Sequence, residues 1–288
     1  MKRTGRIRRT ACWLLLFLFL PAAGKAGSTW RTLTEAAGWE EMVFSGDEFS
    51  GEVRITFLGD CTLGGEEKSR RSALGFFRRI EENGMDFSFR NLRELTAEDD
   101  LTVANLEVVL SDRKLEKEKK KYNFMGPTEY TGILTAGSIE CVTIANNHSH
   151  DYGDQGYADT KEALEQAGIS WFGTDAAGLW EFEGSLRIGF IGVNYSLTGN
   201  RYKVYKEQAE RLKSLGCAAI ITVMHAGTEY NYFPPDSHQK QITERALECG
   251  SCLVIGHHPH VVQGYTVLDG VPVVYSLGNC SFGGTTHA

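Results

Sequence analysis

The stretch Cys252-Leu253-Val254-Ile255-Gly256-His257-His258-Pro259-His260 joins a continuous apolar run to a cluster of histidines. Five other apolar runs end in the same way, at Gly59-Asp60, Asn105-Leu106-Glu107, Asn146-Asn147-His148, His225 and Gly278-Asn279. Uninterrupted aliphatic runs are typical of strands that are buried on both faces, and in layered α/β folds ligands bind outside the carboxyl ends of such strands. The recurrence therefore predicts an α/β fold whose strand ends bring Asp, Glu, Asn and His together in one polar site.

Helix-like segments alternate with these strands from Glu52 onward. Helical spacing of apolar residues occurs in four segments, 72–80, 158–167, 208–215 and 239–248, and glycine follows three of them closely. Residues 186–193 read as a further strand, paired with residues 180–182 through a turn near Gly184. Alternation of this kind predicts layered sheets with helices on both faces.

The amino terminus has the pattern of a secretory signal peptide. Five basic residues lie within the first ten positions, an apolar run follows over residues 11–20, and small residues lie between positions 22 and 26. The apolar run is shorter than the roughly 20 residues that a membrane-spanning helix needs. We therefore expect export, with an uncleaved anchor at residues 11–20 as the alternative. The expected organisation is a signal peptide or anchor at 1–26, a leader segment at 27–50 that docks onto the domain, and one domain at 51–288.

The charge of the chain restricts its partners. The formal net charge is −7, and removal of residues 1–26 with their six basic residues would make it −13. A strongly acidic protein is a poor partner for nucleic acid or for an anionic membrane, but it binds anionic substrates where local cations reverse the field. The dense charge run at 112–121 is interpreted either as a solvated surface or as a cationic flap beside the site marked by Glu107.

The residue types at the strand ends are those of a metal site. Asp60 and Glu107 offer carboxylate oxygens, Asn147 offers an amide oxygen, and three histidines offer ring nitrogens (His225, His258 and His260). Mixed oxygen and nitrogen ligand sets suit Mn, Zn, Fe or Ni, whereas all-oxygen sites suit Mg or Ca. If His258 and His260 lie on an extended segment, both point the same way. Any single histidine is more often a structural residue than a ligand, and only the joint recurrence favours a functional site.

Several of these motifs together, in order, resemble the capsule-synthesis CapA family of poly-γ-glutamate capsule synthesis proteins. The resemblance covers roughly residues 53–284, and its domain is similar to calcineurin-like metallophosphatases. The stretches that carry it are Phe57-Leu58-Gly59-Asp60, Ala104-Asn105-Leu106-Glu107, Ala145-Asn146-Asn147-His148 with Asp151, His225-Ala226-Gly227-Thr228-Glu229-Tyr230, Gly256-His257-His258-Pro259-His260 and Tyr275-Ser276-Leu277-Gly278-Asn279. A layered metallophosphatase-like α/β fold is the fold that the resemblance implies.

The resemblance also implies a role for each matching residue. Glu107 would bridge two metal ions, and His148 would act as a transition-state donor or general acid. The implied metal ligands are Asp60, Glu107, Asn147, His225, His258 and His260. The residues expected behind them are Asp151 and Glu229, as groups that orient imidazoles, together with Asn105 and Asn279.

Two departures from the family pattern bear on function. The first metallophosphatase motif normally continues Asp-x-His, but here it is Asp60-Cys61-Thr62, so one expected imidazole is missing and the cofactor is one or two divalent ions. The chain also stops soon after Phe282-Gly283-Gly284, where relatives continue, so the domain either closes without that strand or is incomplete.

Three functional hypotheses follow. The first is an exported CapA-type protein of capsule or poly-γ-glutamate-like polymer biosynthesis, acting as a metal-dependent hydrolase on a phosphoester or related bond of an anionic polymer or phosphoester substrate. The second is a non-catalytic, polymer-binding accessory subunit of a membrane-bound synthetase. The third is a defective or truncated family member.

Overall fold

The computed structural model describes residues 27–34, 51–72 and 75–283. The expected signal peptide or anchor at 1–26 lies outside the described residues, as do positions 35–50 of the expected leader. Within the described part, the strands in chain order are β1 (Ser28–Thr34), β2 (Ile55–Thr62), β3 (Leu101–Leu106), β4 (Val109–Leu110), β5 (Met125–Gly126), β6 (Cys141–Thr143), β7 (Ser170–Phe172), β8 (Ala176–Phe182), β9 (Leu186–Asn194), β10 (Ala219–His225), β11 (Leu253–His257), β12 (Tyr265–Leu268), β13 (Val271–Val274) and β14 (Asn279–Phe282). The α-helices are α1 (Phe76–Asn83), α2 (Arg93–Glu98), α3 (Thr131–Ala136), α4 (Gly153–Gln166), α5 (Gly199–Ser214) and α6 (Ser237–Glu248). Short 3-10 turns span Glu67–Arg71, Met85–Ser88 and Thr128–Tyr130.

Two large sheets organise these strands. One has seven strands in the order β1-β8-β9-β10-β11-β13-β12, and the other has five in the order β14-β2-β3-β6-β7. All neighbours within the five-stranded sheet are parallel, and so are β9, β10, β11 and β13 in the seven-stranded sheet. Parallel strands place their carboxyl ends at one edge, so each sheet presents a row of strand ends to the same side of the molecule.

The two sheets stack face to face between helical layers. An apolar cluster that includes Val103 and Phe172 of the five-stranded sheet and Phe190, Val223 and Ile255 of the seven-stranded sheet fills the space between them. A second cluster joins the five-stranded sheet to α1, α3 and α4, and a third joins the seven-stranded sheet to α5 and α6. The result is a helix–sheet–sheet–helix sandwich, which confirms the predicted layered α/β fold of metallophosphatase type.

The predicted elements occur, with differences at their ends. The strand at 186–193 and its hairpin partner are β9 and β8, which pair antiparallel. The helix predicted at 208–215 begins nine residues earlier, at Gly199, because Tyr202 and Tyr205 extend its apolar stripe toward the amino terminus. The helix predicted at 239–248 begins at Ser237, where Asp236 and Gln239 form a reciprocal capping box.

The apolar run that ends at Gly278-Asn279, residues 273–277, was expected to be one strand, and this expectation is wrong in one respect. β13 ends at Val274, and the chain then crosses from one sheet to the other, so that Asn279 begins β14 beside Asp60 of β2. Asn279 therefore lies at the start of a strand and not after the end of one. The consequence is that residues of this single crossing contact both sheets near the strand ends.

The segment 27–34, expected to be part of a docking leader, forms the edge strand β1. It pairs antiparallel with β8 over its whole length, and Trp30 packs against Phe190 with 5.4 Å between ring centroids. Among the described residues, none of the helices combines the length and the apolar character that crossing a bilayer requires.

Candidate metal centre

The polar strand ends of both sheets meet in one place. Asp60 lies in β2, Glu107 directly follows β3, and His225 is the last residue of β10. His258 and His260 follow β11, while Asn147 and His148 lie in the turn after β6. The structure thus brings together all six expected metal ligands and His148, from positions up to 200 residues apart in sequence.

Glu107 is the central group of this cluster. Its side chain is 0% exposed, and no described residue donates a hydrogen bond to either carboxylate oxygen. Burial, and then the negative charge of Asp60, raise the pKa of Glu107 well above its ordinary value. A buried carboxylate without donors is costly, so this geometry leaves two oxygens whose natural partner is a cation.

Asp60 is equally buried but is surrounded by donors. Burial alone would raise its pKa, but the neighbouring imidazoles of His257 and His260 hold the pKa of Asp60 well below its ordinary value. The Nδ1 atom of His260 lies 3.1 Å from Asp60 Oδ2, and the backbone N–H of His258 donates to the same oxygen at 3.3 Å. Asp60 is therefore a fixed, ionised carboxylate.

Two groups of ligand atoms share Glu107. Atoms of Asp60, Glu107 and His225 lie within 4.8 Å of one another, and so do atoms of Glu107, His258 and His260. His225 Nε2 is 3.5 Å and His260 Nε2 is 4.0 Å from Glu107 Oε1. Ligands held about 2.1 Å from one ion lie roughly 3.0–3.5 Å apart, so the 3.5 Å between His225 and Glu107 fits donors around one divalent cation, whereas the 4.0 Å between His260 and Glu107 is wider than that spacing. The donor chemistry fits as well, because it mixes carboxylate oxygen with imidazole nitrogen.

Asn147 joins the His225 side of the cluster. Its Oδ1 is 2.8 Å from His225 Nε2, and His258 Nδ1 is 3.1 Å from the same nitrogen. Burial lowers the pKa of both His225 and His258. Because a neutral imidazole is the form that binds metal, these two rings are held in the form that ligation requires.

The side-chain amide of Asn105 contacts both the carboxylate of Asp60 and the imidazole of His225. Its fully buried amide nitrogen is 2.7 Å from Asp60 Oδ1 and 3.1 Å from His225 Nδ1, and its oxygen accepts from Asn146 Nδ2 at 3.0 Å. A single amide therefore fixes the orientation of one group from each sheet. Asn146, which the sequence analysis did not single out, is the residue that holds this amide in place.

His257 is a second group that the sequence analysis missed. It ends β11, is 1% exposed and places Nδ1 3.5 Å from Asp60 Oδ1. The signal was present in the pattern, because His257 is the strand residue that pairs in register with His225.

His258 and His260 reach the cluster by a route different from the expected one. Both have positive φ angles, 97° and 58°, so the segment is a turn and not an extended strand. The two rings still converge on Glu107, because left-handed residues on either side of Pro259 curl the backbone around it. His260 is also fixed from outside, since its Nδ1 is 2.9 Å from the side-chain oxygen of the exposed residue Asn279.

His148 lies at the wall of the cluster with its two ring nitrogens in different surroundings. Nδ1 is 2.8 Å from Asp151 Oδ2, whereas Nε2 faces the centre, 3.8 Å from Glu107 Oε1. The ring stacks on Phe124 with 4.3 Å between centroids. Burial lowers the pKa of His148, and Asp151 counteracts this. Asp151 is therefore in direct contact with the ring nitrogen that points away from the centre.

Glu229 differs from the expectation that it orients imidazoles. It is exposed on the loop after β10 and makes no hydrogen bond to an imidazole within the described part of the chain. It acts on His258 and His260 through its negative charge alone. This charge opposes the lowering of the pKa of His258 by burial, and it adds to the raising of the pKa of His260.

Thr62 takes the position where metallophosphatases carry a histidine. Its hydroxyl oxygen is buried and has no hydrogen-bond partner among the described residues. The group of ligand atoms that includes Asp60 accordingly has Asp60, Glu107 and His225 as its donors.

Comparisons with known proteins agree with one another. The profile of the family described as "Bacterial capsule synthesis protein PGA_cap" matches residues 54–283. The chain is 24% identical over 256 residues to the capsule biosynthesis protein CapA of Bacillus anthracis, covering 80% of this chain and 60% of the relative. It is 26% identical over 252 residues to the PGA biosynthesis protein CapA of Bacillus subtilis, covering 80% and 63%.

A probable polyglutamine synthesis accessory protein of Mycobacterium tuberculosis is 25% identical over 210 residues, covering 62% of this chain and 55% of the relative. The chain thus spans less than two thirds of the length of these curated relatives.

Proposed function

We propose that this chain, which belongs to the PGA_cap family of bacterial capsule synthesis proteins, is a metal-dependent hydrolase that acts during synthesis of a capsular, poly-γ-glutamate-like polymer. The bond cleaved is a phosphoester or a related bond in an anionic substrate. The observation that carries the proposal is the fully buried, donor-free carboxylate of Glu107 between Asp60 and the imidazoles of His225, His258 and His260.

The ligand set supports one or two divalent ions of the Mn, Zn, Fe or Ni type. Asp60, Glu107 and His225 would hold an ion in one group, with Asn147 beside His225, and Glu107, His258 and His260 would hold one in the other. The chemistry that such an ion supplies when bound is stabilisation of negative charge on an oxygen of the scissile group. Thr62 leaves the Asp60 group one imidazole short of the family pattern, so that group has one imidazole whereas the other has two, His258 and His260.

The protein's own groups orient the reaction. His148 turns Nε2 toward the centre because Asp151 fixes Nδ1 and Phe124 supports the ring face. When protonated, this imidazole donates a hydrogen bond or a proton to the leaving group, and Asp151 stabilises the positive charge that it then carries. Lys120 donates to the backbone oxygen of Asn147 at 2.6 Å, which keeps the amide beside His225.

The test measures metal and turnover on the same preparations. The full chain is purified without chelator, its metal content is determined by mass spectrometry, and hydrolysis of an aryl phosphate and a bis-aryl phosphate is assayed with Mn, Zn, Fe and Ni. We expect about one or two ions per chain and turnover that disappears in Glu107→Gln and His148→Ala. His150→Ala is the matched control, because His150 is 51% exposed and stacks on Tyr157 away from the centre.

A non-catalytic role as a polymer-binding accessory subunit of a membrane-bound synthetase is the second candidate. The buried hydroxyl of Thr62 in place of an imidazole favours it, and one relative is named as an accessory protein. Protein that binds polyglutamate and co-purifies with synthetase subunits, but hydrolyses neither aryl phosphate with any of the four metals, would support this candidate over the first.

Export is part of the proposal. The basic, apolar and small-residue succession within residues 1–26 supports it. Fractionation of expressing cells and sequencing of the mature amino terminus test it. Full-length protein confined to the cytosol would contradict export, and full-length protein in the membrane fraction would indicate the anchor.

A further inference from the structure

A cleft rich in cations adjoins the candidate metal centre. It has a volume of about 380 Å³, and five cationic side chains line it: Lys68, Arg71, Lys117, Lys120 and Lys121. Two carboxylates, Glu66 and Glu67, also line it, so the charge of the lining is positive in a chain whose net charge is −7. The term basic cleft refers below to this cavity.

Three of the cations have no carboxylate partner. Lys68 pairs with Glu66 at 2.9 Å, and Lys120 pairs with Asp151. Arg71, Lys117 and Lys121 form no ion pair with any described residue, although Lys121 lies over the ring of Tyr122. Uncompensated cations that face one cavity create a local positive potential, which attracts an anion despite the overall acidity of the protein.

The two walls of the basic cleft are held in place. One is the 3-10 turn Glu67–Arg71, and the other is the loop that contains Lys117 and Lys121. The loop is tied to the turn that carries His148, because Glu118 N donates to Asp151 O at 2.8 Å and Phe124 N donates to the Asp151 side chain. The charge run that the sequence analysis interpreted as a solvated surface or a flap is thus partly the wall of a cavity.

Lys120 connects the basic cleft to the centre. Lys120 lines the cleft, and its amino group donates to Asn147 O at 2.6 Å and lies 3.5 Å from His148 Nδ1. Asn147 in turn contacts His225 through its side chain. Contacts through Lys120, Asn147 and His225 therefore connect the cleft to the centre.

The distribution of charge indicates the ligand class. A single phosphate neutralises one or two neighbouring cations, whereas the unpaired cations here stand on opposite walls. A linear chain that carries one negative charge per residue places successive charges beside successive cations. Lysines supply most of the charge, and lysine acts as a point charge without the planar, bidentate geometry of arginine, so it suits carboxylates that are presented at varying angles.

We propose that the basic cleft is a subsite for a linear polycarboxylate chain, held by Arg71, Lys117 and Lys121, so that an adjoining part of the same chain lies at the metal centre. This inference rests on the proposed function, which supplies the anionic polymer. It adds the place where the polymer is held and the residues that hold it.

The test is binding without turnover. Full-length protein in EDTA is titrated into a fluorescein-labelled, γ-linked decaglutamate, and fluorescence anisotropy gives the dissociation constant at 50 and 200 mM NaCl. We expect Lys117→Gln/Lys121→Gln to weaken binding about tenfold and to make its salt dependence shallower. Arg71→Gln should also weaken binding from the opposite wall. The matched control is Lys114→Gln/Lys119→Gln, which removes the same charge from the same loop outside the cleft lining and should change binding by less than about twofold.

Each outcome bears on one proposal. Equal weakening in the cleft and control variants would overturn the subsite, since it would reveal attraction by overall charge. Tighter, cleft-dependent binding of a polyphosphate of the same length would overturn the polycarboxylate assignment. Metal content and aryl-phosphate turnover are measured on the wild-type protein. If these are absent while cleft-dependent binding persists, the hydrolase proposal fails and the subsite stands; if they are present and the variants bind normally, only the subsite fails.

Discussion

Glu107→Gln should change the stability of the protein in opposite directions with and without a divalent ion. Both oxygens of Glu107 are buried and lack donors, and its carboxylate belongs to both groups of ligand atoms. Without an ion, replacing this group by a neutral amide removes a buried anion beside Asp60. We therefore expect the ion-free variant to be at least as stable as wild type, with a gain of up to about 1–3 kcal/mol in the free energy of unfolding.

With an ion, the expected difference reverses. An ion present at 100 times its dissociation constant stabilises the wild-type protein by about 2.7 kcal/mol. For a domain of this size each kcal/mol is roughly 2–4 °C in melting temperature, so the wild-type Tm should rise by about 5–11 °C. The variant has lost the carboxylate that serves both sides, so its Tm should rise by less than about 2 °C.

Differential scanning fluorimetry with Mn²⁺ and Zn²⁺, after chelation and buffer exchange, measures both effects. Glu229→Gln is the matched control, because Glu229 lies near the centre but is exposed, and its metal-induced shift should equal that of wild type. A Glu107→Gln protein that melts well below ion-free wild type and still responds to metal as wild type does would refute the assignment. Glu107 would then be a structural carboxylate.

Three further predictions concern single side chains. Asp151→Asn should lower kcat for the aryl phosphate by about 10²-fold or more while metal content stays unchanged, because His148 loses the carboxylate that orients it; an unchanged kcat would remove Asp151 from the positioning role. Thr62→Val should raise the free energy of unfolding of the ion-free protein by about 1 kcal/mol in urea, because it deletes a buried hydroxyl without a partner. Thr143→Val should instead lower the free energy of unfolding, because the Thr143 hydroxyl accepts a hydrogen bond from Ala145 N at 3.2 Å. A change in the same direction in both variants would contradict the reasoning. Asp159→Asn should lower the free energy of unfolding by about 1–2 kcal/mol at pH 7. Burial opposes ionisation of Asp159, but donors including Ser111 and Arg113 lower its pKa. The stability from this lowered pKa is present above the ordinary value of 3.8 and is lost as pH falls through the folded value, so the two proteins should converge in acid denaturation.

The fold was accessible from the sequence because it rests on local patterns. Apolar runs such as 219–224 and 101–104 read as buried strands, and parallel strands leave only a few arrangements in which their polar ends meet. The pattern also identified the residues that the structure gathers around Glu107. Their roles as ligands stay predictions until metal is measured.

What the sequence did not predict depends on contacts between distant segments. The φ angles of His258 and His260 follow from the turn around Pro259, and a two-residue spacing alone does not distinguish that turn from a strand. The start of β14 at Asn279 depends on the chain crossing between the sheets. The link from Lys120 to Asn147 joins a charged loop to a turn 27 residues away, and no local pattern encodes it.

The way in which the two sheets meet explains why glycines precede the polar strand ends. A Cβ atom on Gly59 would lie well under 3.0 Å from the carbonyl oxygen of Gly278, and one on Gly256 would collide similarly with that of Tyr275. At these points backbone packs on backbone, as Asp60 N donates to Gly278 O at 2.8 Å. A side chain there would push the crossing segment away and separate Asp60 from the histidines after β11. The motif in which a glycine precedes a polar strand end thus sets the distance between the two halves of the centre, which is why it recurs on both sheets.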